Sequence, residues 1–198
     1  MTSGARPGRV ILLNGTSSAG KTTLARAIQD ESGTPVVYWG IDTLFTLVPP
    51  NWGGGRDGPL SRDGFWYDRT DDDADGHPSV VIRYGEVGRR MLRSGQTAAS
   101  AFAHGGDDLV IDELLLTPDL LPTWMDALSG LEVLLVGVTC PLAVAEQREL
   151  DRRAPNGLSR GHYRTVHDHG TAYDMIVDST TGTPAELARA VLRRQRAR

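Results

Sequence analysis

The segment from Gly15 to Thr22 has the residue types and spacing of a phosphate-binding loop. It reads Gly15-Thr16-Ser17-Ser18-Ala19-Gly20-Lys21-Thr22, which fits the pattern G-x-x-x-x-G-K-[ST]. Glycines let the backbone approach phosphate oxygens, and the amides that follow point inward at the start of a helix. Lys21, the only lysine in the chain, supplies a point charge to the β- and γ-phosphates, and Thr22 offers a hydroxyl to Mg²⁺. The motif predicts a site for ATP with magnesium.

Two aspartates follow apolar runs, at positions suited to phosphoryl transfer. Asp112 ends the run that begins at Leu109, and the carboxyl ends of parallel strands are where ligands bind, so Asp112 is a candidate magnesium ligand together with Thr22. Asp42 ends the run from Val36. Its carboxylate could accept the proton of an acceptor hydroxyl or orient that hydroxyl, and it could equally cap a short helix over 44–48.

The sequence also excludes a GTPase. After Asp112 the chain reads Glu113-Leu114-Leu115, which lacks the D-x-x-G of a GTPase switch. A guanine-reading N-K-x-D element needs a second lysine, and the chain has none. The sequence therefore lacks the elements that would read a guanine nucleotide.

The elements that must position these residues alternate along the chain. Apolar runs predict strands, and helical spacing predicts helices between them. The expected strands are 10–14, 36–41, 109–116, 131–138 and 175–177, and the expected helices are 22–30, 80–103 with a weak point at Gly95, 118–128, 142–152 and 184–194. This alternation predicts an α/β fold of the P-loop NTPase type, with a five-stranded, mostly parallel sheet and helices on both faces.

Two segments interrupt the alternation within a single predicted domain, 1–198. Residues 49–78 are rich in Gly, Pro, Asp and aromatics and form an insertion near the acceptor, and residues 148–164 form a lid. The aromatic residues of the insertion either cover the acceptor or form a small core that pins the insertion down. These residues are Trp52, Phe65, Trp66 and Tyr67. The neighbouring carboxylates, including Asp68 and Asp71 to Asp73, would favour a larger or more cationic acceptor if they face it.

Composition narrows the possible partners. The net charge of −4 argues against a nucleic-acid surface, because phosphate contacts need clustered Lys and Arg. No apolar stretch approaches the length of a membrane span, and residues 1–9 do not form a signal peptide, so a cytoplasmic protein is expected. His162, His167 and His169 are irregularly spaced and have no cysteine partners, so they are expected at the surface or at helix ends rather than on zinc.

The motifs together resemble the chloramphenicol phosphotransferases. The resemblance rests on 10–22, on Gly40-Ile41-Asp42-Thr43-Leu44, on 110–113, on 136–140, on 143–149 and on Val177-Asp178-Ser179-Thr180. It implies a nucleoside-kinase-like fold, ATP with Mg²⁺, and transfer of phosphate to a hydroxyl of a small antibiotic. It also implies that Asp42 is the base, and that Arg148 with Arg152 or Arg153 meets the nucleotide and the transferred phosphate from the lid.

The resemblance leaves two other functions open. One is a metabolic kinase for a sugar, a shikimate-like acid or a nucleoside, with the same fold and phosphate loop. The other is a regulatory P-loop ATPase. Asp42 and the insertion favour transfer to a small molecule, because a regulatory ATPase needs neither an acceptor base nor an acceptor-binding segment.

Overall fold

Strands form the centre of this computed structural model, which describes residues 6–53, 58–70, 76–152 and 157–198. Five strands build one parallel sheet in the order β2-β5-β1-β6-β7, and β3 pairs with β4 in a separate antiparallel hairpin. The strands are β1 (Val10–Asn14), β2 (Val36–Gly40), β3 (Phe65–Thr70), β4 (Ser79–Tyr84), β5 (Asp108–Glu113), β6 (Val133–Thr139) and β7 (Met175–Asp178). The prediction of a five-stranded parallel sheet is confirmed.

Helices cover both faces of the sheet. One face packs against α1 and α7, and the other packs against α2, α3, α4 and the hairpin. The helices are α1 (Lys21–Glu31), α2 (Ile41–Leu47), α3 (Glu86–Gly105), α4 (Leu120–Ala127), α5 (Leu142–Asp151), α6 (Leu158–Tyr163) and α7 (Pro184–Arg196). A 3₁₀ turn, Pro50–Trp52, follows α2. Every residue of β1 is buried, as expected for a strand covered on both sides.

The strand order places the predicted site residues at one edge. The connection after β1 runs toward β2 on one side, and the connection after the neighbouring β6 runs toward β7 on the other side. A crevice opens at the carboxyl ends of two such strands. The phosphate loop follows β1 at this point. Gly40 pairs with Asp112 across β2 and β5, which brings Asp42 and Asp112 to the same edge.

The segment from 65 to 103 differs from the prediction. The helix expected over 80–103 begins only at Glu86, because the apolar residues of 79–84 form β4 and pair with β3. Gly95 is not a weak point, since α3 runs through it without a break. An added Cβ at Gly95 would lie 3.1 Å from a methyl carbon of Leu44, so the glycine lets α2 pack closely against α3.

The predicted lid, residues 148–164, contains the short helix α6. This helix follows residues 153–156, which lie outside the described part of the chain. None of the helices in the described part of the chain is long and apolar enough to cross a membrane.

Candidate active site

The phosphate loop connects β1 to α1 and is bridged by its own lysine. Gly15 lies so close to β6 that an added Cβ would be 2.2 Å from the Val138 carbonyl oxygen, and Gly20 adopts a φ of 99° that favours glycine. Lys21 Nζ donates to the Thr16 carbonyl oxygen at 2.9 Å, across the loop. The loop therefore has the close backbone packing and the bridging ammonium of a phosphate cradle.

Asn14 fixes the base of this loop, and sequence reasoning missed it. Its amide Nδ2 donates to the Val166 carbonyl oxygen and to the Tyr173 hydroxyl, both at 2.7 Å, and its Oδ1 accepts from the Leu115 amide at 3.1 Å. The Tyr173 hydroxyl is also 2.7 Å from His167 Nδ1. A fully buried asparagine at the end of an apolar strand is a signal for such a network, because buried amides need partners.

Asp112 is the centre of a small hydrogen-bonded group beside the loop. Its Oδ2 accepts from the Thr22 hydroxyl at 2.5 Å and from the Tyr38 hydroxyl at 3.1 Å, and its Oδ1 lies 3.9 Å from Lys21 Nζ. Burial raises the pKa of the Tyr38 hydroxyl above its ordinary value, and the Asp112 carboxylate raises it further. A carboxylate and a hydroxyl beside a phosphate loop are hard oxygen ligands, so Thr22 and Asp112 fit Mg²⁺.

Tyr38 is a site residue that the sequence did not reveal. It lies on β2, where an apolar run with aromatics is ordinary for a strand. The Arg26 guanidinium covers its ring at 4.0 Å from the ring centroid, which holds the phenol in place from the other side.

Asp42 lies in the first turn of α2 and does not cap the helix. The capping residue is Gly40, and no side chain caps this end, so the capping interpretation is wrong. Asp42 opens onto the cavity that contains Asp112. Desolvation by the cavity walls raises the pKa of the Asp42 carboxyl, the Asp112 charge raises it further, and Lys21 and Arg152 act in the opposite direction. A carboxylate of raised pKa is a stronger base than an ordinary aspartate.

Glu113, next to Asp112, faces the core instead of the site. Its carboxyl accepts from Trp124 Nε1 at 2.9 Å and from the Leu114 amide at 3.0 Å. Complete burial raises the pKa of Glu113 to about 8. Glu113 therefore anchors α4 to the end of β5.

Two lid arginines contact the phosphate loop. Arg148 Nη1 donates to Ser179 Oγ at 2.9 Å and lies 3.4 Å from the carbonyl oxygens of Ser18 and Ala19. Arg152 Nη2 donates to Ser18 Oγ. Arg153, the alternative lid arginine, lies outside the described residues.

Two cavities meet at the phosphate loop. The larger, about 480 Å³, extends from the loop toward Arg148, Ser179 and Leu187. The smaller, about 100 Å³, contains Asp42. Both are lined by four shared residues, which are Ser18, Lys21, Thr22 and Arg152. The arrangement can therefore hold a nucleotide on one side of the loop and present its terminal phosphate to a second molecule on the other.

The aromatic residues of the insertion separate into different environments. Tyr67 lines the smaller cavity, together with Phe45, which sequence reasoning did not single out. Phe65 is 1% exposed and belongs to the core, so the expectation that it contacts an acceptor is wrong. Trp52 also packs against that core.

Trp66 lies on the outer face of the hairpin. Tyr67 pairs with Ile82 and Trp66 pairs with Arg83, and successive residues of a strand face opposite sides. Because Tyr67 and Ile82 line the smaller cavity, Trp66 points away from it. Trp66 was expected at the acceptor, and this expectation fails because the hairpin's pleat turns it outward.

The outer face also contains the one described carboxylate of β3. Asp68 accepts from Arg83 Nε at 3.1 Å, so its charge is paired and does not face the cavity. Asp71, Asp72 and Asp73 lie outside the described residues. The described part of the insertion thus gives no support to a cationic acceptor.

The histidines do not form a metal site in the described part of the chain, where no group of three or more His, Cys, Asp or Glu side chains could hold an ion. His162 was expected at the surface or at a helix end. It lies in the last turn of α6, but it is not at the surface, since it is 0% exposed. Its Nε2 accepts from the Ile82 amide at 2.9 Å, and this bond explains how a polar ring is accommodated in the interior.

The sheet order and the loop after β1 define a P-loop kinase fold. Among solved structures, the APS kinase of Mycobacterium tuberculosis, in complex with AMPPNP and APS, has a TM-score of 0.63 at 16% identity. The match covers 96% of this chain and 98% of that chain. A gluconokinase from Sinorhizobium meliloti has a TM-score of 0.60 at 17% identity, and the match covers 98% of this chain and 94% of the gluconokinase. At these identities the likeness shows the fold.

The chain belongs to the chloramphenicol phosphotransferase-like family, whose model matches residues 8–196. A relative from Mycobacterium tuberculosis strain H37Rv, named "Putative O-phosphotransferase Rv2636", is 32% identical over 184 residues, which cover 92% of this chain and 80% of the relative. Membership of this family and the likeness to this relative make the chain a phosphotransferase.

Proposed function

We propose that this protein is an ATP- and Mg²⁺-dependent O-phosphotransferase that modifies a hydroxyl of a small, neutral, partly apolar molecule, such as an antibiotic of the chloramphenicol type. The observation that carries the proposal is the smaller cavity, in which Asp42 shares the walls with Lys21, Thr22 and Arg152 of the phosphate site. A hydroxyl bound there has a carboxylate base on one side and the γ-phosphate position on the other.

Each polar residue has a role that follows from its position. Lys21, Arg148 and Arg152 converge on the phosphate loop, where they can neutralise charge that develops on the transferred phosphoryl oxygens. Asp42 accepts the proton of the acceptor hydroxyl, since its raised pKa improves it as a base.

Thr22 and Asp112 would hold the magnesium ion. When bound, Mg²⁺ supplies charge neutralisation for the triphosphate. Tyr38 donates to the same Asp112 oxygen as Thr22, so it keeps this carboxylate oriented.

The acceptor is neutral because the cavity offers little to bind an anion. Apart from the phosphate loop, Arg152 and the two carboxylates Asp42 and Asp112, its walls are apolar or aromatic. They are formed by Tyr38, Ile41, Phe45, Tyr67, Ile82, Leu114 and Leu158. The two cations among its described lining residues, Lys21 and Arg152, belong to the phosphate site. A shikimate-like acid would need a further cation for its carboxylate, so the metabolic-kinase alternative is favoured less.

The test is a coupled assay of ADP release with a panel of acceptors. The panel contains chloramphenicol and other neutral hydroxylated antibiotics, shikimate, gluconate and nucleosides, with hydrolysis in the absence of acceptor subtracted. We expect acceptor-dependent release with a neutral, partly apolar member of the panel. Release stimulated by shikimate or gluconate alone would contradict the proposed acceptor class, and release that no acceptor stimulates would favour the regulatory ATPase.

A further inference from the structure

Helix α6 connects three parts of the site, although it is only six residues long. The Ser159 carbonyl oxygen accepts from the Thr16 hydroxyl of the phosphate loop at 2.6 Å. The Leu158 and Ser159 amides donate to the buried Glu149 carboxylate, on the same helix as Arg148, at 2.9 and 2.6 Å. The third connection runs to the hairpin.

The hairpin depends on α6 because it has only two strands. β3 pairs with one edge of β4, and the backbone amides on the other edge of β4 need different partners. The Val80 amide donates to the Gly157 carbonyl oxygen at 2.9 Å, and the Ile82 amide donates to His162 Nε2 at 2.9 Å. An imidazole nitrogen thus takes the place of a carbonyl on a third strand.

The contact between α6 and β4 is close. An added Cβ at Gly161 would lie 1.9 Å from the Val80 carbonyl oxygen, so only glycine allows the helix to approach this far. The approach places the His162 ring within hydrogen-bond distance of the strand. It also places Leu158 and Ile82 on adjoining walls of the smaller cavity.

Only one of the two ring nitrogens of His162 has a hydrogen-bond partner among the described residues. Because Nε2 accepts a hydrogen bond, the proton of the neutral ring is on Nδ1, which is buried and has no hydrogen-bond partner among the described residues. An unpaired buried donor is unfavourable, and an apolar residue of similar size would avoid it. The bond to Ile82 is therefore what distinguishes histidine from an apolar residue at this position.

We propose that His162 is a positioning residue, which holds the β3–β4 hairpin in register with the phosphate loop through its bond to the Ile82 amide. The hairpin contributes Tyr67 and Ile82 to the cavity wall, so this bond sets the distance between the bound acceptor and the transferred phosphate. The step from hairpin position to acceptor binding rests on the proposed function.

Two variants of His162 separate the hydrogen bond from the volume of the ring. His162→Gln retains an acceptor oxygen, whereas His162→Leu fills similar space without one. Val191→Ala serves as a control, because it removes core volume on α7, on the other side of the sheet. A loss of stability alone should affect the Leu variant and this control alike.

The first measurement is hydrogen exchange of the Ile82 amide by NMR, which requires no acceptor. We expect exchange about tenfold faster in His162→Leu than in the wild type, and near wild-type exchange in His162→Gln and in Val191→Ala. Equal protection of the Ile82 amide in the Leu variant and the wild type would overturn the proposal.

The second measurement is steady-state kinetics with chloramphenicol as the acceptor probe. His162→Leu should raise the acceptor KM about tenfold and change the ATP KM less than about twofold, and His162→Gln should restore the acceptor KM. An unchanged acceptor KM, or equal changes in both KM values, would overturn the proposal. If the wild type does not phosphorylate chloramphenicol, the proposed function fails for that acceptor, while hydrogen exchange still decides whether His162 holds the hairpin.

Discussion

Replacing Asp42 with asparagine isolates the proposed base. The change keeps the size and shape of the side chain and leaves the N-terminus of α2 intact, because Gly40 and not Asp42 is the capping residue. It removes the proton acceptor and one negative charge near Asp112. A general base contributes about 10²–10⁴-fold in rate, so we expect kcat to fall at least about 100-fold, or about 2.7 kcal/mol in activation free energy.

Nucleotide binding should change little in this variant. Asp42 lines the smaller cavity and is absent from the lining of the larger one, so ATP affinity measured by calorimetry should stay within about twofold. Asp30→Asn is the matched control, since Asp30 is an exposed carboxylate on α1 far along the helix from the phosphate loop. It should leave kcat unchanged.

The pH dependence of kcat adds a second criterion. Desolvation raises the pKa of Asp42, and protonation removes its ability to accept a proton. The wild-type kcat should therefore fall as the pH falls through this raised pKa, and Asp42→Asn should lack that limb. A kcat within about threefold of the wild type, with the acidic limb preserved, would refute the reasoning.

Four other predictions follow from the same geometry. Lys21→Ala should lower kcat on the order of 10³-fold without unfolding the protein, as measured by ADP release and circular dichroism. Arg148→Lys keeps the charge but loses the planar guanidinium that donates to Ser179, and should lower kcat about tenfold; full activity would mean that the charge of Arg148 suffices and that these hydrogen bonds do not contribute. Tyr38→Phe removes one donor to Asp112 and should weaken Mn²⁺ binding to the nucleotide complex about tenfold, as titrated by electron paramagnetic resonance; unchanged binding would contradict this role. Burial lowers the pKa of His162 to about 4, so the unfolded chain takes up a proton that the folded chain excludes, and stability is lost as the pH falls from about 6.5 toward 4. This loss is about 2–3 kcal/mol and should be absent from His162→Gln, which denaturant titrations of both proteins at pH 7 and pH 4.5 would check.

The parallel sheet and the phosphate loop could be predicted because their signals are local. A continuous apolar run such as 10–14 suits a strand buried on both faces, and glycines and a lysine at this spacing directly after a strand are typical of a phosphate-binding loop. Asp42 and Asp112 followed from the rule that ligands bind at the carboxyl ends of parallel strands. The structure brings both to one cavity, and their catalytic roles remain predictions.

The hairpin could not be predicted, because its stability comes from partners that are distant in sequence. Residues 80–84 merge with the apolar pattern of α3, so the periodicity suggested one long helix. β3 is stabilised by Phe65 in the core and by pairing with β4. Deleting the insertion would remove Phe65 from that core, so a shortened chain would test folding before it tests acceptor binding.

Sequence reasoning missed the roles of Tyr38, Asn14 and His162 for a related reason. Each makes its decisive hydrogen bond to a residue at least 74 positions away, namely Asp112, Leu115 and Ile82. The residue type alone does not indicate a role for a tyrosine on a strand or a histidine on a helix. Only the tertiary fold shows which donor meets which acceptor.

The solitary lysine makes the phosphate site chemically addressable. Lys21 is the only side-chain amine in the chain, it is 8% exposed, and its ammonium spans the loop to the Thr16 carbonyl oxygen. Apart from the α-amino group, an amine-reactive acylating reagent thus has one target, and that target lies in the proposed phosphate site. A nucleotide carrying an acyl phosphate would attach a single label there, and protection by free ATP would report occupancy of the site without any knowledge of the acceptor.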